Sequence, residues 1–309
     1  MSDQVVTSRD DARFLSVPGG PPLDYLRSCR PYHWIKNLLV FVPLIAAHET
    51  SLELYLMVAG LFAALSVCAS GTYLLNDILD IPYDRQHKTK RHRPLAAGRI
   101  APLSAMGVGV AMVLAGLSGA FLLSVTAGWF ILLYVAVTCA YSLYFKRIIF
   151  IDVVVLALLF TIRVFAGAVV GDISLSHWFI TFFTFIFLAL AIVKRQSELH
   201  GLNETNQSES GGRAYQAQDI VVITALGAAS SLASAVVFSL YLYSPEVREA
   251  YTQPAFMWGI IPLLVYWLGR IALLANRGVI NDDPVVFALR DRASWLTCLG
   301  IAVLFVAAL

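Results

Sequence analysis

The length of the apolar runs decides what this chain can fold into. A hydrocarbon core of ~30 Å takes roughly 20 helical residues to cross. Runs of that order lie near 53–75, 102–124, 127–145, 150–170, 176–193, 219–243, 255–275 and 292–309. A shorter run, 37–47, reaches the interface with Tyr32, Trp34 and Ile35 and makes a ninth. Composition agrees, because 59% of residues are hydrophobic and 14% charged, whereas about a quarter of an average soluble chain is charged. The expectation is an all-α, polytopic membrane protein with nine transmembrane helices.

The cations set its orientation. Cytoplasmic loops carry the excess of Lys and Arg. With a cytoplasmic N-terminus and nine spans, every Lys and Arg outside the spans falls on the inner side except Arg248, while Arg163 and Arg270 lie within spans. The net charge of +2 conceals this segregation. Basic residues at span ends point to anionic headgroups or phosphate groups as partners, not to nucleic acid. The protein is therefore expected in the plasma (inner) membrane with its polar loops in the cytoplasm.

Residues 1–25 are polar, contain Pro-Gly-Gly-Pro-Pro at 18–22 and lack the apolar core of a signal peptide, so they read as a flexible cytosolic tail. Residues 26–309 show no composition change and read as one membrane domain. The polar stretch from Ser197 to Asp219 exceeds a usual connection and is expected to be a lid or a linker. Cys29, Cys68, Cys139 and Cys298 form no C-x-x-C pair and are expected to pack as small hydrophobes.

Chemistry concentrates where the 53–75 run ends. Asn76, Asp77, Asp80 and Asp84 follow spacings of three, four, seven and eight, so all four side chains could share one helix face. Acidic residues there are costly without a compensating partner. Convergent oxygens suit a hard cation, and Mg²⁺ typically takes one or two carboxylates plus the oxygens of a bound phosphate or diphosphate. Pro82 should kink or end the helix. The basic run that follows, with Arg85, Lys88, Lys90, Arg91 and Arg93, suits a phosphate clamp or a headgroup anchor.

Two further sets stand out. Lys194, Arg195 and Glu198 close the 176–193 run, either as a substrate group or as a simple span terminus. Tyr141, Ser142, Tyr144, Lys146 and Asp152 surround the turn near 146, with Arg163 deep in the next run. A guanidinium there needs a partner, either Asp152 or a bound anion.

The pattern Asn76-Asp-x-x-Asp80-x-x-x-Asp84-Arg85, with Arg93-Pro94 and Gly98 after it, resembles the first Asp-rich motif of the UbiA-type intramembrane prenyltransferase superfamily. The resemblance spans nearly the whole chain. Most members use that motif to hold Mg²⁺ on a diphosphate and carry a second Asp-x-x-x-Asp motif on or after the sixth helix. This chain has Lys194-Arg195-x-x-Glu198-Leu199 there instead. Together with Arg30-Pro31-x-x-Trp34-x-Lys36-Asn37, Tyr141-Ser142, Asp152 and Arg290-Asp291-Arg292, this is similar to the decaprenyl-phosphate phosphoribosyltransferase branch.

That resemblance implies an Mg²⁺-dependent membrane transferase. Its donor would be 5-phosphoribosyl diphosphate, its acceptor a polyprenyl phosphate, and its product a precursor of arabinose-containing cell-wall polymers. Asn76, Asp80 and Asp84 would hold the metal, with Asp77 beside them in the catalytic set. Arg85, Lys88 and Arg91 would assist at the diphosphate. Lys194 and Arg195 would hold the 5-phosphate, Glu198 a ribose hydroxyl and Lys36 the lipid phosphate, with Tyr141, Lys146 and Arg163 as further substrate contacts. Two alternatives remain open at this point: prenyl transfer to an aromatic acceptor, and an ion-coupled transporter.

Overall fold

The computed structural model describes residues 21–86, 89–205, 215–280 and 283–309, and every regular element among them is helical. We number the α-helices α1 (Pro22–Cys29), α2 (Val42–Ala46), α3 (Leu52–Gln86), α4 (Pro102–Leu123), α5 (Val125–Leu143), α6 (Ile151–Val170), α7 (His177–Thr205), α8 (Ile220–Tyr241), α9 (Pro245–Ala250), α10 (Ile260–Asn276), α11 (Pro284–Arg290) and α12 (Arg292–Ala308). Among the described residues seven helices are long and apolar enough to cross a membrane. Those seven, α3 to α8 and the segment Pro254–Asn276, coincide with seven of the nine expected spans. The protein is a multi-pass membrane protein.

The two remaining runs are not among those seven, for separate reasons. The run near 37–47 does not form a single α-helix: Pro31–Phe41 winds as a 3-10 helix and the five-residue α2 follows. Pro31 and Pro43 open these two pieces, where a missing amide donor is tolerated. A 3-10 turn rises ~2 Å per residue against ~1.5 Å for an α-turn, so this stretch still winds to roughly 30 Å. At the C-terminal end, α11 and α12 are bent by 89° at a short break, and only the pair together would count as an eighth span.

Three local expectations also change. Residues 22–25, assigned to the tail, lie in α1, and residues 1–20 of that tail fall outside the described residues. Helix α3 does not end at Pro82 but continues to Gln86. Helix α7 runs on to Thr205, so much of the expected connection from Ser197 is helical; residues 206–214, on which a lid would depend, lie outside the described residues. All four cysteines are free, with Cys29 and Cys68 buried and Cys298 exposed.

The chain forms two compact units where composition had shown none: Met1–Asn37 with Leu56–Ser142, and Leu38–Tyr55 with Leu143–Leu309. In the first, α3 and α4 meet through small residues. A Cβ built at Gly71 would lie 2.5 Å from the Gly109 carbonyl oxygen, and one at Gly116 2.6 Å from that of Ala64. Such close approach is how helices associate where apolar burial gives no advantage over lipid. Side-chain bonds add to it: Trp34 Nε1 donates to Ser70 Oγ at 3.0 Å and Asn37 Nδ2 to Ser66 Oγ at 3.0 Å. Ser124 alone separates α4 from α5, and its hydroxyl accepts from the Ala127 amide at 3.0 Å, capping the new helix.

The second unit is built on α6, α7, α8 and α10. Phe160, Phe183, Phe187 and Phe238 pack its largest apolar cluster with Leu264 and Leu268. Gly167 of α6 faces the Val40 backbone so closely that a Cβ would lie 1.9 Å from the Val40 carbonyl oxygen. Arg270, which the sequence places inside a span, makes a two-pronged pair with Asp291 at 2.6 and 2.9 Å. Asp291 also caps α12 through the Ser294 amide at 2.8 Å.

Gly167→Ala should therefore cost at least ~1–3 kcal/mol through overpacking against backbone that cannot yield. Gly107→Ala, with nothing within 4 Å of the added carbon, should be neutral or slightly stabilising. Thermal unfolding of the two variants in detergent checks the contrast, and equal melting temperatures would contradict the close approach.

Candidate active site

The Asp-rich segment ends α3 in the first unit, and its four polar side chains divide into two pairs by the partners they hold. Asn76 Nδ2 donates to Asp80 Oδ2 at 2.8 Å, one helical turn apart, and both residues are half-buried. Asp77 and Asp84 are 2% and 4% exposed. Asp77 is ion-paired with Arg30 and lies 3.5 Å from Arg93 Nη1, which also donates to Asp84 Oδ2 at 2.7 Å. Arg30 holds a left-handed backbone, φ 51°, at the end of α1, and its guanidinium stands 5.4 Å from the Tyr73 ring centroid.

Arginines fasten the basic loop to this helix end. Arg85 Nε donates to the Ala96 carbonyl at 3.3 Å, and Arg99 joins Asp24 at 3.2 Å and the His92 carbonyl at 3.0 Å. Arg91 is exposed, Lys36 is buried, and Lys88 lies outside the described residues. Arg93 was legible only as one member of a basic run; its bridge between two aspartates needed the folded loop. Tyr141, also in this unit, has a buried hydroxyl with no hydrogen-bond partner among the described residues.

Among the described residues no three His, Cys, Asp or Glu side chains converge enough to hold a metal by themselves. The Asn76 and Asp80 pair nevertheless suits Mg²⁺, which draws few protein ligands and completes its shell from substrate phosphates and water. The arginines on Asp77 and Asp84 distinguish those carboxylates from the first pair. Asp77 is best described as an anchor, and Asp84 would ligate a metal only by sharing or releasing Arg93.

In the second unit, Asp152, Arg195, Glu198 and Tyr215 form one network. Arg195 is fully buried and ion-paired with both Asp152 and Glu198. The Tyr215 hydroxyl donates to Asp152 Oδ1 at 2.6 Å and accepts from the Phe150 amide at 2.8 Å. Lys194 Nζ lies 3.8 Å from Asp283 Oδ2. Ser197 donates to the Ile280 carbonyl, and Gln196, 1% exposed, keeps its amide nitrogen without a hydrogen-bond partner among the described residues.

Asp152 is thus the partner of Arg195, not of Arg163. Eleven residues along one α-helix amount to roughly 16 Å, beyond the reach of a direct pair. Arg163 instead donates to the Leu159 carbonyl one turn back, with its guanidinium 5.6 Å from the Phe160 ring centroid. Lys146 is half-buried in the turn before α6. Tyr215 stood in no sequence motif, and only its place near the end of the long polar stretch set it apart.

Residues 38–290 match the model of the UbiA prenyltransferase family. The chain belongs to the UbiA prenyltransferase family. It is 31% identical over 99% of its length to decaprenyl-phosphate phosphoribosyltransferase of Mycobacterium tuberculosis, all of which is covered. It is 32% identical to the nodulation protein NoeC of Azorhizobium caulinodans, covering 91% of this chain and 92% of that one. It is 36% identical to the uncharacterized protein y4nM of Sinorhizobium fredii over 97% of this chain, which spans 58% of that relative's length. A UbiA homolog from Archaeoglobus fulgidus bound to GPP and Mg²⁺ superposes with a TM-score of 0.66 at 16% identity, covering 91% of this chain and 99% of that one. UbiA membership makes the protein a transferase of the prenyltransferase superfamily.

The division of the aspartates has a measurable consequence. Arg30→Ala removes one of the two arginines beside the buried Asp77, and with Arg93 still 3.5 Å away it should cost a measurable part of the ~3–5 kcal/mol typical of a buried pair broken outright. Asp80→Asn, at a half-exposed position, should leave stability within about 0.5 kcal/mol of the parent. Folded yield and thermal unfolding of the detergent-purified variants provide the test, and an Arg30→Ala protein as stable as the parent would refute the anchoring role of Asp77.

Proposed function

We propose that the protein transfers 5-phosphoribose from 5-phosphoribosyl diphosphate to a polyprenyl phosphate of decaprenyl type and releases diphosphate. The observation that carries this reading is the replacement of a second Asp-rich motif by Lys194-Arg195-x-x-Glu198, in which Lys194 and Glu198 keep 29% and 24% of their side chains exposed while Arg195 is buried between two carboxylates. A phosphoribosyl donor carries a 5-phosphate and ribose hydroxyls that a prenyl diphosphate lacks. A lysine and a carboxylate suit those groups, since ammonium binds phosphate as a point charge and carboxylate accepts from hydroxyl. The 31% identity to a phosphoribosyltransferase supports the same choice.

Asn76 and Asp80 would hold Mg²⁺ at the donor diphosphate, joined by Asp84 if Arg93 yields it. Magnesium, when bound, supplies Lewis-acid neutralisation of the leaving group, worth several kcal/mol in the transition state. Arg85 and Arg91, both exposed, would add positive charge at the same diphosphate. Lys194 would bind the 5-phosphate and Glu198 a ribose hydroxyl, with Arg195 supporting Glu198 instead of touching the phosphate. Lys36 would take the lipid phosphate. As the bond from C1 to the diphosphate oxygen breaks, an oxygen of the polyprenyl phosphate forms the new bond. That nucleophile is already anionic at neutral pH, so the chain needs no general base. The reaction would take place at the cytoplasmic face of the inner membrane, and its lipid-linked pentose would feed arabinan-type cell-wall polymers.

Membranes containing the protein, given labelled 5-phosphoribosyl diphosphate, decaprenyl phosphate and Mg²⁺, should form a pentosyl-phosphate lipid. Chelation should abolish the product, and Asp80→Asn should lower the rate at least a hundredfold, as expected for lost leaving-group stabilisation. Prenylation of an aromatic acceptor with no pentosyl lipid would overturn the assignment in favour of the family's commoner reaction.

A further inference from the structure

We infer that Tyr215 is a positioning residue for the transfer reaction, holding Asp152 and Arg195 so that Glu198 is presented to the ribose of the donor; the inference rests on the phosphoribosyl-transfer reading. The four side chains are joined in sequence. The Tyr215 hydroxyl donates to one oxygen of Asp152, the other oxygen of Asp152 pairs with Arg195, and Nη1 of Arg195 pairs with Glu198. Exposure rises only at the far end: the side chains of Asp152 and Arg195 are at 0% and Tyr215 is 2% exposed, whereas the Glu198 side chain is at 24%.

Tyr215 fixes the buried end from two directions. Its oxygen accepts from the Phe150 amide at 2.8 Å, and Phe150, with φ at 65°, holds a left-handed backbone immediately before α6. No side chain caps that helix locally, so the phenol from a distant segment braces the turn that sets Asp152. Its ring lies 5.3 Å from the Arg195 guanidinium carbon, within the range of a cation–π contact. Burial, and then the bond to Asp152, push the phenol pKa up, so the hydroxyl remains a donor at physiological pH.

The charge of the network suits this purpose. One guanidinium between two carboxylates leaves the trio at a formal −1, and its accessible member is Glu198. A buried pair could have been closed with a single carboxylate; the second places an oriented acceptor where a hydroxyl of the substrate can donate to it. A purely structural tyrosine would brace the fold without influencing what Glu198 binds.

A double-mutant cycle separates the two roles, because residues acting through one network show coupling while independent ones add. KM for 5-phosphoribosyl diphosphate and kcat are measured for the parent, Tyr215→Phe, Glu198→Ala and the double variant in membranes, with melting temperatures in detergent alongside. Tyr215→Phe should raise KM about tenfold with a smaller change in kcat, and should have little further effect once Glu198 is alanine. Additive effects, or a Tyr215→Phe protein with parental KM, would overturn the inference. If Tyr215→Phe does not fold, Asp152→Asn takes its place in the cycle, and additivity with Glu198→Ala would overturn the inference in the same way. A parent that forms no pentosyl lipid overturns the functional reading beneath it, an outcome distinct from an active parent with uncoupled variants.

Discussion

Desolvated charge is the constraint around which this protein is organised. A carboxylate removed from water is tolerated when a cation and hydrogen bonds replace the lost hydration. Asp77 has Arg30 and Arg93, Asp152 has Arg195 and the Tyr215 hydroxyl, and Asp291 has Arg270 and two donors from Ser294. In each case the cation comes from another part of the chain, so the pairings tie secondary elements together as well as neutralising charge.

The same pairings separate the acidic residues by exposure. Asp77 and Asp152 are buried against arginines, whereas Asp80 and Glu198 are partly accessible. Arg195 falls on the framework side, although its position beside Lys194 in the sequence suggested a phosphate contact. Lysine and arginine differ here as their chemistry predicts: the planar guanidinium bridges two carboxylates, and the ammonium stays partly exposed.

Much of the fold was legible in the sequence because membrane spans announce themselves by length, and seven runs kept their expected places. The misses have physical causes. Apolar length does not reveal how a segment winds, so Pro31–Phe41 escaped as a 3-10 helix, nor that the last run, α12, follows an 89° bend from α11 at Asp291. Helical spacing showed that Asn76, Asp77, Asp80 and Asp84 could share a face. It could not show that Arg93 would fold back from the loop and take two of them. The cost of a guanidinium deep in an apolar run made Asp152 a candidate partner for Arg163, while Asp152 pairs with Arg195 on a different helix. Tyr215 stood in no motif, since a lone tyrosine within a polar stretch has no pattern.

The pair between Arg270 and Asp291 bears on how the chain is assembled in a bilayer. Synthesis proceeds from the N-terminus, so the helix Ile260–Asn276 is made before its carboxylate partner exists. Placing an arginine near a helix centre costs ~2.5–3.5 kcal/mol during insertion. Until Asp291 emerges, that cost has no counterweight from this pair. The break between α11 and α12 then delivers the carboxylate and a fresh helix N-terminus together. The chain from Ile260 onward is thus expected to enter the membrane as a unit, and a ribosome stalled after α10 would leave a segment poorly held in lipid.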